Sequence, residues 1–468
     1  MKRQLSALDS QFLAIESSTH YGHVCGLVIL DPSARPGGAF RVEDLRELLD
    51  ERLHLLPVMR WKLAEVPLGL DRPYWIEDPS FDLEYHTREL ALPDPGDDKR
   101  LAEQVARIAS RHLDRARPLW ELYLIQGLED GRCALLSKMH HAMIDGMSGA
   151  EIMGVLFDLE PSGREIPEPE PEQLPDPDAS EPGSLEMLGR GLAALPMQPV
   201  RTLRALPSTL PYLDVAPSIL GIPGAERVSR AASRVRGLIG GGPDGEIIER
   251  PRMHAPPTPF SGSISAHRRF SFGSLSLEQV KDVKDALDVK VNDVVVAICA
   301  GAVRRWLVAN DALPDQPLLA QIPVSVRTDD QMGTYGNRIS VMIVPIPTDV
   351  ADPIGRVERA REAMLAAKHR HNAMPAELLQ DVTEFIPPAI NARAARVALQ
   401  LGVAQRMRPL YNLVISNVPG PQFPLYLGGA EVECNYPVSV ITDGVGLNIT
   451  AFSYRGRLDF GFVADRDQ

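Results

Sequence analysis

Hydrophobic residues in the first 160 positions switch repeatedly between two spacings. Residues 21–30, 121–126 and 133–139 are short apolar runs that predict buried strands. Two other segments have apolar residues at helical spacing, and Pro57 ends the first of them. The positions are Val42, Leu45, Leu48, Leu49, Leu53 and Leu56 in one segment, and Leu101, Val105, Ile108 and Leu113 in the other. This alternation predicts a domain with both helices and strands.

The last 200 positions show a second series of the same kind. Ser276 and Gln279 form a capping box that opens a helix through residue 287, and Asn292 and Asp293 can cap a further helix over 294–307. A third helix is predicted over 353–369. The strands are predicted at 267–272, 318–326, 339–346, 412–417, 432–435, 447–454 and 458–463. Both halves of the chain therefore predict α/β domains.

Residues 161–260 differ from both halves and separate them. They hold 18 of the chain's 41 prolines; positions 161–186 contain eight acids and one arginine, and positions 187–240 contain seven arginines and two acids. The acidic part is typical of a stiff, solvated connector. The arginine-rich part is either a crossover packed on a groove or a basic amphipathic surface for lipid head groups. We predict domains at 1–160 and 261–468, with 161–260 as the linker.

Composition narrows the class of protein. The chain has 468 residues, of which 44% are hydrophobic and 24% charged, and its net charge of −13 argues against a nucleic-acid partner. Its four cysteines are far apart, which favours reduced thiols in the cytoplasm. The N-terminus lacks the apolar stretch of a signal peptide, and no uncharged apolar run is long enough to span a membrane. Any membrane contact is expected to be peripheral.

The most informative motif is His140-His141-Ala142-Met143-Ile144-Asp145-Gly146, at a predicted strand-to-helix junction. A histidine can accept a proton near neutral pH, because its unperturbed pKa is about 6.5. Adjacent side chains on a strand point to opposite faces, so both rings can line one pocket only if the strand ends there. We therefore expect one histidine to transfer protons and the other to pack or hydrogen-bond.

Two rival chemistries are disfavoured by the sequence. A zinc site usually needs three or four ligands, and neither HExxH nor a second His/Cys cluster accompanies His141 and Asp145. Serine hydrolysis lacks its GxSxG motif, and nothing marks Ser137 as activated. The remaining chemistry is general-base catalysis without a protein nucleophile, in which His141 deprotonates a substrate hydroxyl that attacks an acyl carbonyl. Asp145 then suits a structural carboxylate, and Arg60 is the candidate partner behind it.

Several motifs together resemble the bacterial wax ester synthase/diacylglycerol acyltransferase family over nearly the whole chain. HHxxxDG alone is shared with chloramphenicol acetyltransferase and peptide-synthetase condensation domains, whereas the combination is more specific. The matching elements are the opening at 5–13, Pro118-Leu119-Trp120-Glu121, the run from His140 to Gly146, Asn292-Asp293, Ser416-Asn417-Val418-Pro419-Gly420-Pro421, and Asp443-Gly444-Val445-Gly446-Leu447-Asn448.

The resemblance implies two chloramphenicol-acetyltransferase-like α/β domains that form a pseudo-dimer, with the active site in a tunnel between them. It implies catalytic roles for His141, His140, Asp145 and Gly146, with His141 as the base. Acyl-CoA would enter from one side as a co-substrate, with no further cofactor and no metal. Diacylglycerol or a long-chain alcohol would enter from the other side. Backbone N–H groups near Gly146 or from the second domain can stabilise the oxyanion.

The other motif elements have both a functional and a structural interpretation. Pro118, Leu119 and Trp120 either line the tunnel or start a strand and fill the core. Asn292 and Asp293 either support the site or only cap a helix. The turn-forming residues Asn417, Pro419 and Gly420 can also shape the tunnel wall.

Two alternative functions stay open at this stage. One is an acyltransferase of the same superfamily that takes its acyl group from a carrier. The other is a non-catalytic lipid-binding or lipid-droplet protein. The intact His141, Asp145 and Gly146 argue against the non-catalytic alternative. We expect a cytoplasmic enzyme that associates peripherally with a membrane or with lipid droplets.

Overall fold

The structure is a computed structural model of the chain. It describes residues 3–144, 149–170, 173, 182–194, 255–325, 339–372 and 410–468. The strands in this part are β1 Arg3–Gln4, β2 His23–Asp31, β3 Trp61–Ala64, β4 Tyr74–Glu77, β5 Thr87–Ala91, β6 Trp120–Gln126, β7 Cys133–His140, β8 Arg268–Ser276, β9 Leu318–Ser325, β10 Ile339–Ile346, β11 Leu413–Pro419, β12 Tyr426–Leu427, β13 Ala430–Val438, β14 Leu447–Tyr454 and β15 Arg457–Asp465. The α-helices are α1 Ala7–Ala14, α2 Val42–Arg52, α3 Leu83–His86, α4 Asp98–Ala109, α5 His141–Ile144, α6 Gly149–Leu156, α7 Ser184–Ala194, α8 Leu277–Ala286, α9 Val291–Ala309 and α10 Pro353–Asn372.

The first large sheet has the strand order β12-β13-β2-β7-β6-β5. Strand β7 lies in its middle, antiparallel to β2 and β6. Its side chains alternate between two hydrophobic cores: Leu135 and Met139 belong to one, and Ala134 and Leu136 to the other. Because both faces are covered, the strand is an almost continuous apolar run. The histidine pair therefore lies at the end of a central strand.

The second large sheet has the order β10-β9-β11-β14-β15-β8. Strand β11 runs parallel to β9 and β14, while β15 pairs antiparallel with β14 and β8. Helix α9 packs against α10 and the sheet. Val294, Val295 and Val296 are all buried there, because successive positions of α9 face the sheet and the neighbouring helices.

Two strands from the second half, β12 and β13, complete the sheet of the first half. Strand β13 pairs antiparallel with β2, from Glu431 opposite Asp31 to Val438 opposite Cys25. A hydrophobic core contains Tyr436 and Val438 together with residues of β2, β6 and β7. The two α/β halves are thus joined by strand pairing, and the predicted boundaries at 160 and 261 stay predictions.

Most predicted elements have counterparts in the structure, with shifts at their ends. The helix predicted through Leu56 ends at Arg52 and continues as short 3₁₀ turns, Leu53–Leu55 and Pro57–Arg60. The helix predicted to start at 294 begins at Val291, so the expectation that Asn292 and Asp293 precede it is wrong. Asp293 lies in its first turn, and its carboxylate accepts the Lys290 N–H at 2.9 Å. The helix begins earlier than predicted because Asp293 caps it from within the first turn.

Two further sequence expectations concern membranes and thiols. Within the described ranges, no helix is both long and apolar enough to cross a bilayer. Cys25, Cys133, Cys299 and Cys434 are buried free thiols. Burial raises the pKa of each thiol to about 12. They are therefore protonated and inert as nucleophiles at neutral pH.

Candidate active site

The two adjacent histidines lie in different environments because β7 ends between them. His140 is the last residue of β7, pairs with His23 of β2 and is 1% exposed. His141 is the first residue of helix α5 and is half-buried. Its ring stacks on Phe12, with the ring centroids 4.7 Å apart and the planes inclined by 12°. The structure therefore separates the pair into one packed and one partly accessible imidazole.

Three hydrogen bonds hold the backbone at this junction. The His140 N–H donates to the Leu119 carbonyl, and the His141 N–H donates to the Gly22 carbonyl, each at 2.9 Å. The Ala142 N–H donates to His140 Nδ1 at 3.1 Å. Both N–H groups at the start of α5 have acceptors, so the turn that bears His141 is well anchored.

Burial and charge set the protonation state of His141. Burial lowers its pKa, and the neighbouring His140 lowers it further, to about 4. At pH 7 the ring is therefore neutral and can accept a proton. This is the state that a general base needs before the reaction.

An acidic residue that sequence reasoning missed contacts the buried histidine. Glu16 Oε1 lies 3.3 Å from His140 Nε2 and accepts the Gly22 N–H at 2.8 Å. Its second oxygen accepts two bonds from Arg115, at 2.7 and 3.1 Å. Burial raises the pKa of Glu16, but its contacts with His140, the Gly22 N–H and Arg115 lower it to about 2. The only sequence signal was an isolated acid three residues after the apolar opening segment.

Gly22 is required by its contact with the His140 ring. A Cβ atom at this position would collide with His140 Nε2 and lie 2.9 Å from Cε1. It would also lie 3.1 Å from the Phe12 carbonyl oxygen. A side chain here would displace the ring, so the absence of a Cβ permits the close approach.

The structure describes the HHxxxDG motif only as far as Ile144. Asp145 and Gly146 lie outside the described residues, so the pairing of Asp145 with Arg60 and the oxyanion role near Gly146 stay predictions. Arg60 is half-buried at the end of a 3₁₀ turn, with its guanidinium 5.2 Å from the Phe81 ring centroid. In the described ranges no group of three or more His, Cys, Asp or Glu side chains is arranged to hold a metal ion.

The Pro118-Leu119-Trp120 element packs inside the first half. All three residues are buried, and Trp120 begins strand β6. The Trp120 indole N–H donates to the Met59 carbonyl at 2.7 Å, and its ring stacks on His86. The Leu119 carbonyl also accepts the His140 N–H, so this element helps to hold the end of β7 in place.

Two motif elements of the second half meet each other. The Asn417 side-chain amide donates to Asn292 Oδ1 at 3.4 Å, which brings β11 next to the start of α9. Pro419 at the end of β11 is exposed. A Cβ on Gly420 would lie 2.6 Å from Phe452 Cε1, so glycine is required there. The structure thus groups Asn292, Asn417 and Gly420 around one end of the second sheet.

The segment that holds Glu16 also contacts the second half. His20 Nε2 accepts the backbone N–H of Asp443, the first residue of the last motif, at 3.1 Å. The Asp443 carboxylate accepts the Ile264 N–H at 2.9 Å. The Tyr21 hydroxyl donates to the Ala266 carbonyl at 2.8 Å. Motif residues far apart in sequence are therefore linked through residues 16–23.

Comparison with known proteins agrees with this architecture. The wax ester synthase/diacylglycerol acyltransferase catalytic domain matches residues 5–295, and the C-terminal domain of the same family matches residues 335–468. A protein of Mycobacterium tuberculosis named as a diacylglycerol O-acyltransferase is 34% identical over 466 residues, covering 99% of this chain and 86% of its own. One of Mycobacterium bovis with the same type of name is 34% identical over 464 residues, covering 98% and 93%.

Solved structures show the same fold. The wax ester synthase/diacylglycerol acyltransferase from Marinobacter aquaeolei superposes with a TM-score of 0.66 at 28% identity, over 99% of this chain and 93% of its own. The first condensation domain of the calcium-dependent antibiotic synthetase superposes with a TM-score of 0.51 at 14% identity, over 100% and 91%. The second likeness concerns the fold alone.

The two-domain α/β fold, with a histidine pair at the end of a central strand, defines an acyltransferase of the HHxxxDG superfamily. The full-length matches narrow this class further: the chain belongs to the wax ester synthase/diacylglycerol acyltransferase family. The resemblance inferred from the motifs and the predicted two-domain α/β fold are both confirmed. The tunnel between the two domains stays a prediction.

Proposed function

We propose that this acyltransferase transfers a fatty acyl group from acyl-CoA to the hydroxyl of diacylglycerol, forming triacylglycerol and releasing CoA. Long-chain alcohols would serve as second acceptors and give wax esters. The observation that supports this proposal best is the state of His141, which is partly accessible, neutral and anchored at the end of β7. The names of the relatives favour diacylglycerol as the acceptor.

In the proposed reaction His141 accepts the proton of the acceptor hydroxyl as its oxygen attacks the thioester carbonyl. A C–O bond forms, the carbonyl becomes an oxyanion, and the C–S bond then breaks. The imidazolium returns its proton to the departing CoA thiolate. A ring with a pKa of about 4 makes a costly imidazolium, so the nearby oxyanion must offset this cost through its opposite charge. Backbone N–H groups near Gly146 or from the second half are the proposed oxyanion donors.

The surroundings of Ser137 favour direct transfer of the acyl group from CoA to the acceptor. Ser137, three residues before His140 on β7, donates its hydroxyl to the Gly26 carbonyl at 3.3 Å. The sequence lacks a GxSxG nucleophile motif. These features favour attack by the substrate hydroxyl over an acyl-serine intermediate.

The proposal assigns supporting roles to the other motif residues. Arg60 would hold Asp145 behind the site, and Asn292 and Asp293 would support the start of α9. Pro118, Leu119, Trp120, Asn417, Pro419 and Gly420 would form or support the walls of the substrate tunnel.

We also propose a cytoplasmic enzyme that works at the surface of a membrane or lipid droplet. Helix α7 exposes Leu185 and Leu192, which are 84% and 53% exposed and lie on one face, seven positions apart. Most of the arginine-rich stretch 187–240 follows this helix and lies outside the described residues. Binding to anionic vesicles is expected to weaken with salt and with the double substitution Leu185→Ser and Leu192→Ser. Binding unchanged by both, and by deletion of 187–240, would argue against this surface.

The function is tested by measuring CoA release and lipid product with palmitoyl-CoA and either diacylglycerol or hexadecanol. The unmodified chain is expected to turn over diacylglycerol. His141→Ala is expected to lose about 10²- to 10⁴-fold in kcat with its fold intact. The matched control is His267→Ala, because His267 is exposed on the second half and should leave turnover unchanged.

The same assay separates the alternatives. Turnover with a carrier-linked but not a CoA-linked acyl group would indicate the carrier-dependent class. Lipid binding without any product would indicate a non-catalytic lipid-binding protein. Near-normal turnover by His141→Ala would end the assignment of the base.

A further inference from the structure

A single carboxylate oxygen contacts both groups that anchor the catalytic turn. Glu16 Oε1 accepts the Gly22 N–H at 2.8 Å and lies 3.3 Å from His140 Nε2. We infer that Glu16 is a positioning residue for acyl transfer, which acts by fixing the tautomer and place of the His140 ring and thereby the turn that bears His141. The inference rests on the proposed function of His141.

The hydrogen bonds determine which ring nitrogen of His140 bears the proton. Nδ1 accepts the Ala142 N–H at 3.1 Å, so it must present a lone pair. A neutral imidazole has one N–H group, which must then be on Nε2. Glu16 Oε1 lies 3.3 Å from this nitrogen, and the charge of the carboxylate favours an N–H there. In the other tautomer, Nδ1–H would oppose the Ala142 N–H, and the Nε2 lone pair would face the carboxylate.

The contacts of His140 and Gly22 continue to His141. The Gly22 carbonyl accepts the N–H of His141, and His140 Nδ1 accepts the N–H of the next residue, Ala142. The peptide N–H groups of His141 and Ala142 thus bind to Gly22 and His140, the two residues that Glu16 Oε1 contacts. A displacement of about 1 Å at a reacting group can cost about 100-fold in rate. The carboxylate therefore acts on the reaction through geometry, without contact to the substrate.

Both oxygens of Glu16 lie next to hydrogen-bond donors, and only a carboxylate offers an acceptor on both sides. Oε1 faces Gly22 and His140, while Oε2 accepts both bonds from Arg115. A glutamine has one oxygen and one NH₂ group. In either orientation, that NH₂ would face a donor: Arg115 in one, Gly22 and His140 in the other. Glu16→Gln keeps the shape of the side chain but must lose one of these arrangements.

The chain offers a matched control on the same arginine. Glu65 Oε1 lies 3.8 Å from Arg115 Nη1, and its side chain is 67% exposed. Glu65→Gln makes the same chemical change on the outer side of Arg115. Because the pair is exposed and long, we expect this variant to match the parent in kcat.

The experiment compares Glu16→Gln with Glu65→Gln in the full chain, with two readouts. Steady-state assays with palmitoyl-CoA should show kcat reduced about 10- to 100-fold in Glu16→Gln, with KM for palmitoyl-CoA unchanged. Nitrogen-15 NMR of histidine-labelled protein should show His140 as the Nε2–H tautomer in the parent and a mixture in Glu16→Gln. The His140 signal is assigned by its loss in His140→Ala.

Each outcome decides for or against the inference. A parental kcat together with an unchanged His140 tautomer in Glu16→Gln overturns it. If Glu16→Gln does not fold, Glu16→Asp replaces it, because the shorter carboxylate stays charged but cannot reach the same positions. Parental values in Glu16→Asp would equally overturn the inference. A parent enzyme without turnover of acyl-CoA would instead refute the proposed function.

Discussion

The two halves of the molecule surround their motif residues with different chemistry. In the first half, His140 is buried beside the charged pair of Glu16 and Arg115, whose hydrogen bonds are 2.7 and 3.1 Å long. In the second half, Asn292 and Asn417 are half-buried, and their neutral amides meet at 3.4 Å. Charged hydrogen bonds are shorter and about twice as strong as neutral ones. The contact beside His140 is therefore charged, whereas the contact between Asn292 and Asn417 is neutral.

The largest effect on this contrast is expected from Gly22→Ala. The new methyl group would collide with the His140 ring and approach the Phe12 carbonyl, so the ring must move. We expect kcat to fall about 100-fold and stability to fall by about 1–3 kcal/mol, measured by steady-state kinetics and thermal unfolding. Gly189→Ala in α7 is the control, since a Cβ atom on Gly189 would meet nothing within 4 Å apart from its chain neighbours and the nearby backbone of its own helix. Equal kcat values for Gly22→Ala and Gly189→Ala would contradict the conclusion that the His140 ring packs too closely on Gly22 to admit a methyl group.

The next effect concerns the packed histidine. His140→Ala removes the acceptor of the Ala142 N–H and leaves Glu16 without its ring partner. We expect kcat to fall about 10- to 100-fold, the range expected for Glu16→Gln, because the turn loses the anchor through which Glu16 acts while the proposed base stays present. The comparison with His141→Ala in one assay tests the division of roles. A loss in His140→Ala as large as in His141→Ala would reverse the assignment.

A smaller effect is expected in the second half. Asn417→Ala removes one neutral hydrogen bond to Asn292, worth about 0.5–1.5 kcal/mol. If this contact shapes the tunnel wall, KM for the acceptor should rise a few-fold while kcat changes less. Acceptor titrations with diacylglycerol measure both constants. A loss in kcat as large as that of Gly22→Ala would mean that the second half also places reacting groups.

The smallest effect is expected from pH near neutrality. The proposed base is the neutral form of His141, whose pKa is lowered from 6.5 to about 4. Activity is therefore expected above pH 4 and should be lost as pH falls through that value. We expect kcat/KM to be nearly constant between pH 6 and 8. Glu16, with its pKa of about 2, stays charged over this range. A midpoint near pH 6.5 would show that His141 is solvated like an ordinary histidine, provided that circular dichroism shows an unchanged fold.

Much of the fold followed from local patterns in the sequence. The strand at 339–346 and the strand at 447–454 have the predicted bounds, because their apolar runs are bordered by residues that end strands. The pairing of β13 with β2 was not predicted. Alternation identifies a strand but contains no information about a partner some 400 positions away, so sheet membership depends on long-range packing.

The site was predicted unevenly for a related reason. The adjacent histidines indicated proton transfer because their side chains can accept a proton near neutral pH. The combination of motifs indicated the family. Glu16 gave no such signal, because an isolated acid after a short helix is usually a surface residue. Its role became visible only when the chain placed it beside His140 and Arg115.

The sequence by itself determined the class of protein, the strand-to-helix junction and the residue types able to move a proton. These depend on side-chain chemistry and on periodicity over a few neighbours, which any reader of the chain can follow. The tertiary structure alone decided which histidine is packed, which is partly accessible, and which carboxylate stands behind them. The burial, tautomer and pKa of each ring depend on atoms from distant segments of the chain. These atoms come together only when the chain folds.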